Sequence, residues 1–348
     1  MKVQNLSFLL IFLLSVSFAR LKAQLASSQV TDFETLIEQR DFSRAIVHAQ
    51  ALDSFHATGT IEKAHARLLL AKAYHENSAF DKAGTILDSL LSIKTFDRYP
   101  NLLTETWFQK GMLADSQNKE AVAINYFLKV DSMTNVENIV PELQIRALTT
   151  IGDLLFQWRY MKIASGYSKP SHFYEKAVAL AERTDDSIAW FGLKLRLAFL
   201  SAGNPAKKLE AIPSVFEQGI AYFKEKQKIL PLLDGIHRLA KLHTIRGNVQ
   251  EAQALYMEYI KIANEHGLND NEALGNWQHA ILMENSEMLP EAIASYEKAK
   301  ALYEREKPML STTNYSAVLG ALAGLYRKTN RLEEAFDHLV LFHNIRDS

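Results

Sequence analysis

The stretch AHARLLLAKAYHENSAFDKAGTILDSL, residues 64–90, decides the fold. In it Ala71 is followed twelve positions later by Ala83 and four positions after that by Leu87. The same spacing returns in Gly111, Ala123 and Phe127, then in Ala240, Ala252 and Tyr256. It returns again in Ala280, Ala292 and Tyr296, and in Ala323, Ala335 and Leu339. Leu70, Leu239 and Leu322 precede the first small residue, Tyr74 and Tyr326 follow it by three, and Trp107 stands four before Gly111. One such set is a weak signal; five with identical internal spacing are a repeat.

A small residue at a fixed place marks a close helix crossing, where a larger side chain would overpack the contact. Leucines and aromatics at the neighbouring places fill the adjoining space. The pattern resembles the tetratricopeptide signature of Trp, Leu-Gly, Tyr, Ala and an aromatic at fixed offsets, over roughly residues 31 to 348. That resemblance implies an all-α fold, a right-handed α-solenoid of about seven to eight stacked antiparallel helix pairs. Each pair would bury its apolar faces against its neighbours and leave one concave face.

The first small residues fall at 71, 111, 152, 240, 280 and 323, in steps of 40 to 43 where they are adjacent. The usual step is about 34, so the chain looks like the long-repeat variety of bacterial sensory and regulatory proteins. One further repeat must fit between Gly152 and Ala240. Its expected span, about 187–226, shows apolar helices but no small-residue register, with Ala206 to Glu210 as its turn. In the repeat of Gly152 and Leu155 the second helix comes six residues late, at Tyr174 and Ala177. The extra residues read as an insertion at 157–170 rich in aromatics, Trp158, Tyr160 and Tyr167, with Trp158 and Tyr160 as contact residues. Phe33, Leu36, Phe42 and Ala45 suggest a shortened capping repeat within 24–60, ahead of an array over 61–348. Pro100, Pro141 and Pro231 are expected to precede first helices, and Pro170 and Pro290 to open second helices. Asn118, Gly247 and Asn330 are expected in interhelical turns.

Composition narrows the function. Apolar residues make up 48% and charged residues 23%, which excludes bulk disorder. The net charge of −1 carries no basic field, so nucleic acid is not the expected partner. There is no cysteine, which excludes disulfides, thiolate chemistry and Cys-ligated zinc. Lys2, the apolar run Leu6 to Ala19 and the small residue Ala23 match a secretory signal peptide over residues 1–23, leaving Gln24 first. Export to the periplasm or beyond is the expectation. The run is shorter than the roughly 20 residues of a membrane span, and no transmembrane helix is expected in the mature chain.

No phosphate-binding glycine loop, His-Glu-x-x-His helix or Gly-x-Ser-x-Gly elbow is present. The 11 histidines are scattered, with His237 and His243 six apart and His338 and His343 five apart. We therefore expect a non-catalytic scaffold, without metal or cofactor, that holds a protein or peptide; the alternative is the sensory part of a signalling receptor. The tetratricopeptide resemblance implies a binding face along the first helices. Offsets of −6, −3, +1 and +4 from each first small residue should line it. These give Lys72 and His75, then Phe108 and Asp115, then Arg146, Asp153 and Phe156. His237 and Lys241, Trp277 and Glu284, and finally Arg327 continue the line. The last helix carries Leu339-Val340-Leu341-Phe342, too apolar all round for a solvated end, and suggests association through that face.

Overall fold

The computed structural model describes residues 32–37, 39–93, 98–133, 140–160, 169–202, 212–305 and 312–346. The expected signal peptide, residues 24–31, Tyr167 with most of the insertion, and the Ala206–Glu210 turn lie outside these. Among the described residues there is no strand. The helices are α1 (32–37), α2 (Phe42–Phe55), α3 (Ile61–Glu76), α4 (Phe80–Leu91), α5 (Pro100–Ser116) and α6 (Glu120–Ser132). They continue as α7 (Pro141–Tyr160), α8 (Pro170–Arg183), α9 (Ser187–Ala202), α10 (Ile212–Glu225), α11 (Ile229–Ile245) and α12 (Val249–Glu265). The last are α13 (Asn269–Asn285), α14 (Leu289–Arg305), α15 (Thr312–Lys328) and α16 (Leu332–Arg346). The chain divides into two compact units, Met1–Leu143 and Gln144–Ser348, and within each unit successive helices pack on one another. Among the described residues no helix is long and apolar enough to cross a membrane.

The small residues sit where the spacing requires. Ala83, Ala123, Ala252 and Ala292 are fully buried, as are Ala240 and Ala280. At Gly111 an added Cβ would lie 2.6 Å from Cε1 of Phe127, which is itself wholly buried. At Gly152 it would collide with the ring of Tyr174. Tyr174 thus takes, six residues late, the place Phe127 holds in the preceding repeat. By the same register buried Pro170 stands where the other repeats have alanine.

The ends of the helices are closed by one recurring device. Ser78 has φ 57°, its N–H donates to the His75 carbonyl, and the next N–H, of Ala79, donates to the Tyr74 carbonyl. This pair of bonds satisfies two carbonyls left over at a helix C-terminus. It recurs at Arg40, Asn118, Asp185, Gln227, Gly247, Gly267, Glu287 and Asn330, all at positive φ. Helix starts are fixed by Thr60, which accepts from the Lys63 N–H, and Asp186, which accepts from the Ala189 N–H. Pro100, Pro141 and Pro170 are the first residues of their helices. Pro231, expected ahead of its helix, is the third residue of α11, still within the turn whose N–H groups need no intrahelical partner.

Three expectations are revised. Gln157 to Tyr160 belong to the last turn of α7 and Pro170 to α8, so the insertion is shorter than 157–170. The α9–α10 repeat inverts the usual packing: Leu195 on α9 is fully buried and faces Gly219 on α10 and Gly235 on α11, at 3.1 Å from an added Cβ in each case. The large side chain is on the first helix and the small ones are on its neighbours. In the last helix Ala335 is only half-buried and Leu339 is 44% exposed, whereas Leu87, at the same repeat position, is 1% exposed. No later helix covers α16 among the described residues.

Two glycines separate crossing from mere helix geometry. Gly111→Ala should cost about 1–3 kcal/mol by overpacking against Phe127. Gly324→Ala, with nothing within 4 Å of the added Cβ, should stabilise by about 0.5–1 kcal/mol. Urea unfolding of both variants checks the opposite signs.

Candidate functional site

In the first unit the residues expected on the binding face are largely committed to internal partners. Lys72 Nζ donates to both carboxylate oxygens of Glu34 at 2.8 Å. His75 Nε2 lies 2.8 Å from the Ser116 hydroxyl, and burial lowers its pKa. Burial, with Glu120 nearby, raises Asp115. Phe108 is 1% exposed and packs on Phe127, with ring centroids 5.5 Å apart, so it belongs to the core and not to the face.

The second unit builds a charged ridge across three consecutive first helices. Asp153 on α7, Arg196 on α9, and Asp234 and Arg238 on α11 meet side by side. Arg196 Nε donates to Asp153 at 3.1 and 3.2 Å, and its Nη1 donates to Asp234 at 2.9 Å. Arg238 Nε donates to Asp234 at 3.0 and 3.1 Å, and its Nη2 lies 3.6 Å from Asp153. The Tyr174 hydroxyl donates to Asp153 at 2.6 Å. Asp153 and Asp234 keep 31% of their side-chain surface exposed. The ridge is thus within reach of a ligand yet screened less than a surface ion pair.

The electrostatics follow from burial and proximity. Burial pushes the Asp234 carboxyl up, but Arg238 and Arg196 outweigh it and hold it below the usual carboxylate range. Burial disfavours the Arg196 cation, but Asp234 and Asp153 reverse that and strengthen its protonated form. Tyr174 is driven far up by burial and by Asp153, so it stays a donor. Burial, aided by Lys241, lowers His237 to about 4, with Asp234 opposing. Its Nε2 is buried and has no hydrogen-bond partner. Burial, and then Arg238, lowers Lys241.

Of the expected residues, Asp153 belongs to this ridge, and His237 and Lys241 stand on α11 near Asp234 and Arg238. The sequence reading missed Arg196, Asp234 and Arg238. Arg196 lies in the repeat without a small-residue register, so no offset could be assigned to it. Asp234 falls on the −6 offset from Ala240, one of those expected to line the face, and Arg238, four residues on, could have been found with it as an i, i+4 acid–base pair.

The −3 offset does not point into a groove. Phe108 lies over Phe127, and His237 has Tyr256 and Tyr259 at 6.4 and 5.8 Å between centroids. Trp277 is half-buried against the core that contains Tyr256 and Ala280. At Phe108 and His237 this offset faces the second helices. The +1 offset, held by Lys72, Asp153 and Lys241, stays partly accessible.

The remaining positions are dispersed. Phe156 packs edge-on against Phe199. Glu284 accepts from the Tyr296 hydroxyl and from Lys328, both at 3.2 Å. Arg146 and Arg327 are exposed. Trp158 and Tyr160 stand in the last turn of α7, and their side chains lie outside the described residues.

No family model matches the chain, and no curated protein matches it. Solved structures do. NprR in complex with its cognate peptide NprX superposes with a TM-score of 0.60 at 14% identity, over 91% of this chain and 87% of that one. A Rap protein complexed with Competence and Sporulation Factor gives 0.54 at 12%, over 93% and 98%. The Rap conjugation gene regulator of plasmid pLS20, in complex with the Phr* peptide, gives 0.52 at 12%, over 92% and 96%. The fold is that of tetratricopeptide-type helical repeats. At these identities the likeness is one of fold.

The histidine supplies a pH test. Its ordinary value is 6.5 and its folded value about 4. The unfolded chain therefore takes up the proton first on acidification, so the neutral ring's contribution is whole above about pH 6.5 and lost as pH falls toward 4. Stability should drop by about 1–3 kcal/mol between pH 7 and 5, and by less in His237→Gln. Urea titrations at several pH values measure the difference; identical profiles for the two proteins would contradict a buried neutral His237.

Proposed function

We propose that this protein is a non-catalytic exported binder that holds a peptide, or an extended protein segment, along the first helices of its second unit. The observation that carries the reading is the ridge of Asp153, Arg196, Asp234 and Arg238. It sets donors and acceptors across α7, α9 and α11, the surface on which an extended chain can be read by a few polar anchors. The solved neighbours support it, since two are described as complexes with a peptide and a third as a complex with Competence and Sporulation Factor. A regulatory role, in which the captured peptide is a signal, is favoured by the description of one neighbour as a gene regulator. Export rests on Lys2, the Leu6–Ala19 run and Ala23. The near-neutral charge argues for a protein or peptide over nucleic acid.

Protein recovered from the envelope or medium of the producing cell should begin near Gln24. Incubated with a randomised pool of benzophenone-bearing heptapeptides, it should cross-link on α7, α9, α11 and α13. Cross-links confined to second helices, or none at all, would remove the reading. An intact Met1 in a cytosolic fraction would remove the export.

Helix α16 adds a second surface. Leu332, Phe336, Leu339, Val340 and Leu341 are all exposed, whereas Phe342 turns inward, 3.4 Å from a Cβ added at Gly320. An apolar row of this kind marks a protein contact. Sedimentation should show a species heavier than the monomer, reverting to monomer in Phe336→Glu; a strict monomer without the substitution would exclude self-association.

A further inference from the structure

The last helix carries an exposed row, and the earlier repeats show what covers such a row. Leu332, Phe336, Leu339 and His343 follow one another along α16 at intervals of four, three and four residues, all exposed, with Val340 beside them. These intervals set them in one line, the spacing of a coiled-coil seam. Counted from Ala323 they stand at +9, +13, +16 and +20. The preceding repeat has Leu289, Ile293 and Tyr296 at the first three of these places, and all three pack into the core that holds Val318, Leu319 and Leu322 of α15. In the first unit a Cβ added at Gly84, +13 from Ala71, would meet Leu113 of α5 at 3.6 Å. The row is thus the side on which a second helix receives the first helix of the next repeat. Short connections make that next helix antiparallel. What fits on α16 is an antiparallel helix with an apolar seam of its own.

Helix α16 itself meets that description. Intervals of four, three and four read the same in both directions. Laid end for end on a second copy, Phe336 meets Leu339 of the second copy, and Leu332 meets its His343. The charges favour this direction. Glu333 lies exposed in the first turn of α16, and His343 lies exposed toward the other end, while Glu334 is already paired with Arg331 at 2.6 Å. Antiparallel copies set each Glu333 beside the other's His343, and the negative end of each helix dipole beside the positive end of the other. Parallel copies would set glutamate against glutamate. Exposed charge pairs add little affinity, so these fix direction while the apolar row supplies the attraction. Packing on α15 already holds α16 as a helix, so pairing orders no new backbone.

We propose that α16 docks antiparallel on α16 of a second copy of this chain, in a two-fold dimer where each copy stands in for the next repeat of the other. The inference rests on the reading of α16 as a contact surface and names its partner and its direction.

The chain has no cysteine, which makes a disulfide test direct. Leu332→Cys and His343→Cys are prepared separately, mixed in equal amounts and brought to equilibrium in a glutathione buffer. The two sites face each other in antiparallel copies, while identical sites lie about 16 Å apart, beyond disulfide reach. The mixed disulfide should exceed either symmetric one at least tenfold. His343→Glu, which faces Glu333 of the second copy, should weaken the dimer at least threefold in sedimentation, and Glu333→Lys added to the same chain should restore it. Circular dichroism equal to that of the native protein checks that each variant is folded. Symmetric disulfides of Leu332→Cys in equal or greater yield overturn the antiparallel pairing, and so does a double variant no tighter than His343→Glu; both leave self-association standing. A dimer that persists unchanged in Leu339→Glu places the contact elsewhere and overturns the inference. A native protein that stays monomeric at every concentration overturns the inference and the self-association reading together.

Discussion

Everything in this fold depends on how closely two helices can approach. At Gly111 and Gly152 the ring of Phe127 or Tyr174 occupies the space a methyl group would need. With that distance set, the same pair geometry can be repeated, because each pair presents a similar surface to the next. In the second unit the first helices then lie side by side. Arg196 reaches Asp153, 43 residues earlier, and Asp234, 38 residues later, with a single side chain. A polar ridge assembled from such distant residues requires backbones held in register by packing. The crossing glycines and alanines are thus the remote cause of the charged site.

The closing turns show a second economy. Among the described residues nine helix ends carry the same two backbone bonds, and of these only Gly247 and Gly267 are glycines at the left-handed position. Serine, arginine, aspartate, glutamine, glutamate and asparagine hold the others. Left-handed backbone costs an ordinary residue about 1 kcal/mol or more, and the paired carbonyls, with the helix packing they permit, offset it. Turn chemistry therefore made Asn118, Gly247 and Asn330 legible, and left Ser78, Asp185, Gln227 and Glu287 hidden. Their side chains do not direct the turn; the backbone does.

The same division explains what could be read of the site. Small-residue spacing is a steric signal carried by residue identity, so the crossings at Ala71, Gly111, Ala240, Ala280 and Ala323 were visible along the chain. Facing direction depends on how far a helix is wrapped by its partner, which spacing does not report. Phe108 and His237 share one offset and both turn toward second helices, against the expectation that they line the face. Asp153 and Lys241 share another and stay accessible. Where Leu195 inverts the packing against Gly219 and Gly235, no register exists to assign an offset, and Arg196, the center of the ridge, sits one residue further on.

That location is informative. The inverted repeat departs from the usual crossing, and it is also where the polar network is densest. A large apolar side chain on α9 fills the space between α10 and α11 from the inner side, and the adjacent Arg196 is carried between the carboxylates of the flanking first helices. Placing an arginine there demands two acids to offset its desolvation, which Asp153 and Asp234 provide. Arg238 then shares those acids, so two guanidinium groups and two carboxylates from three first helices close one network.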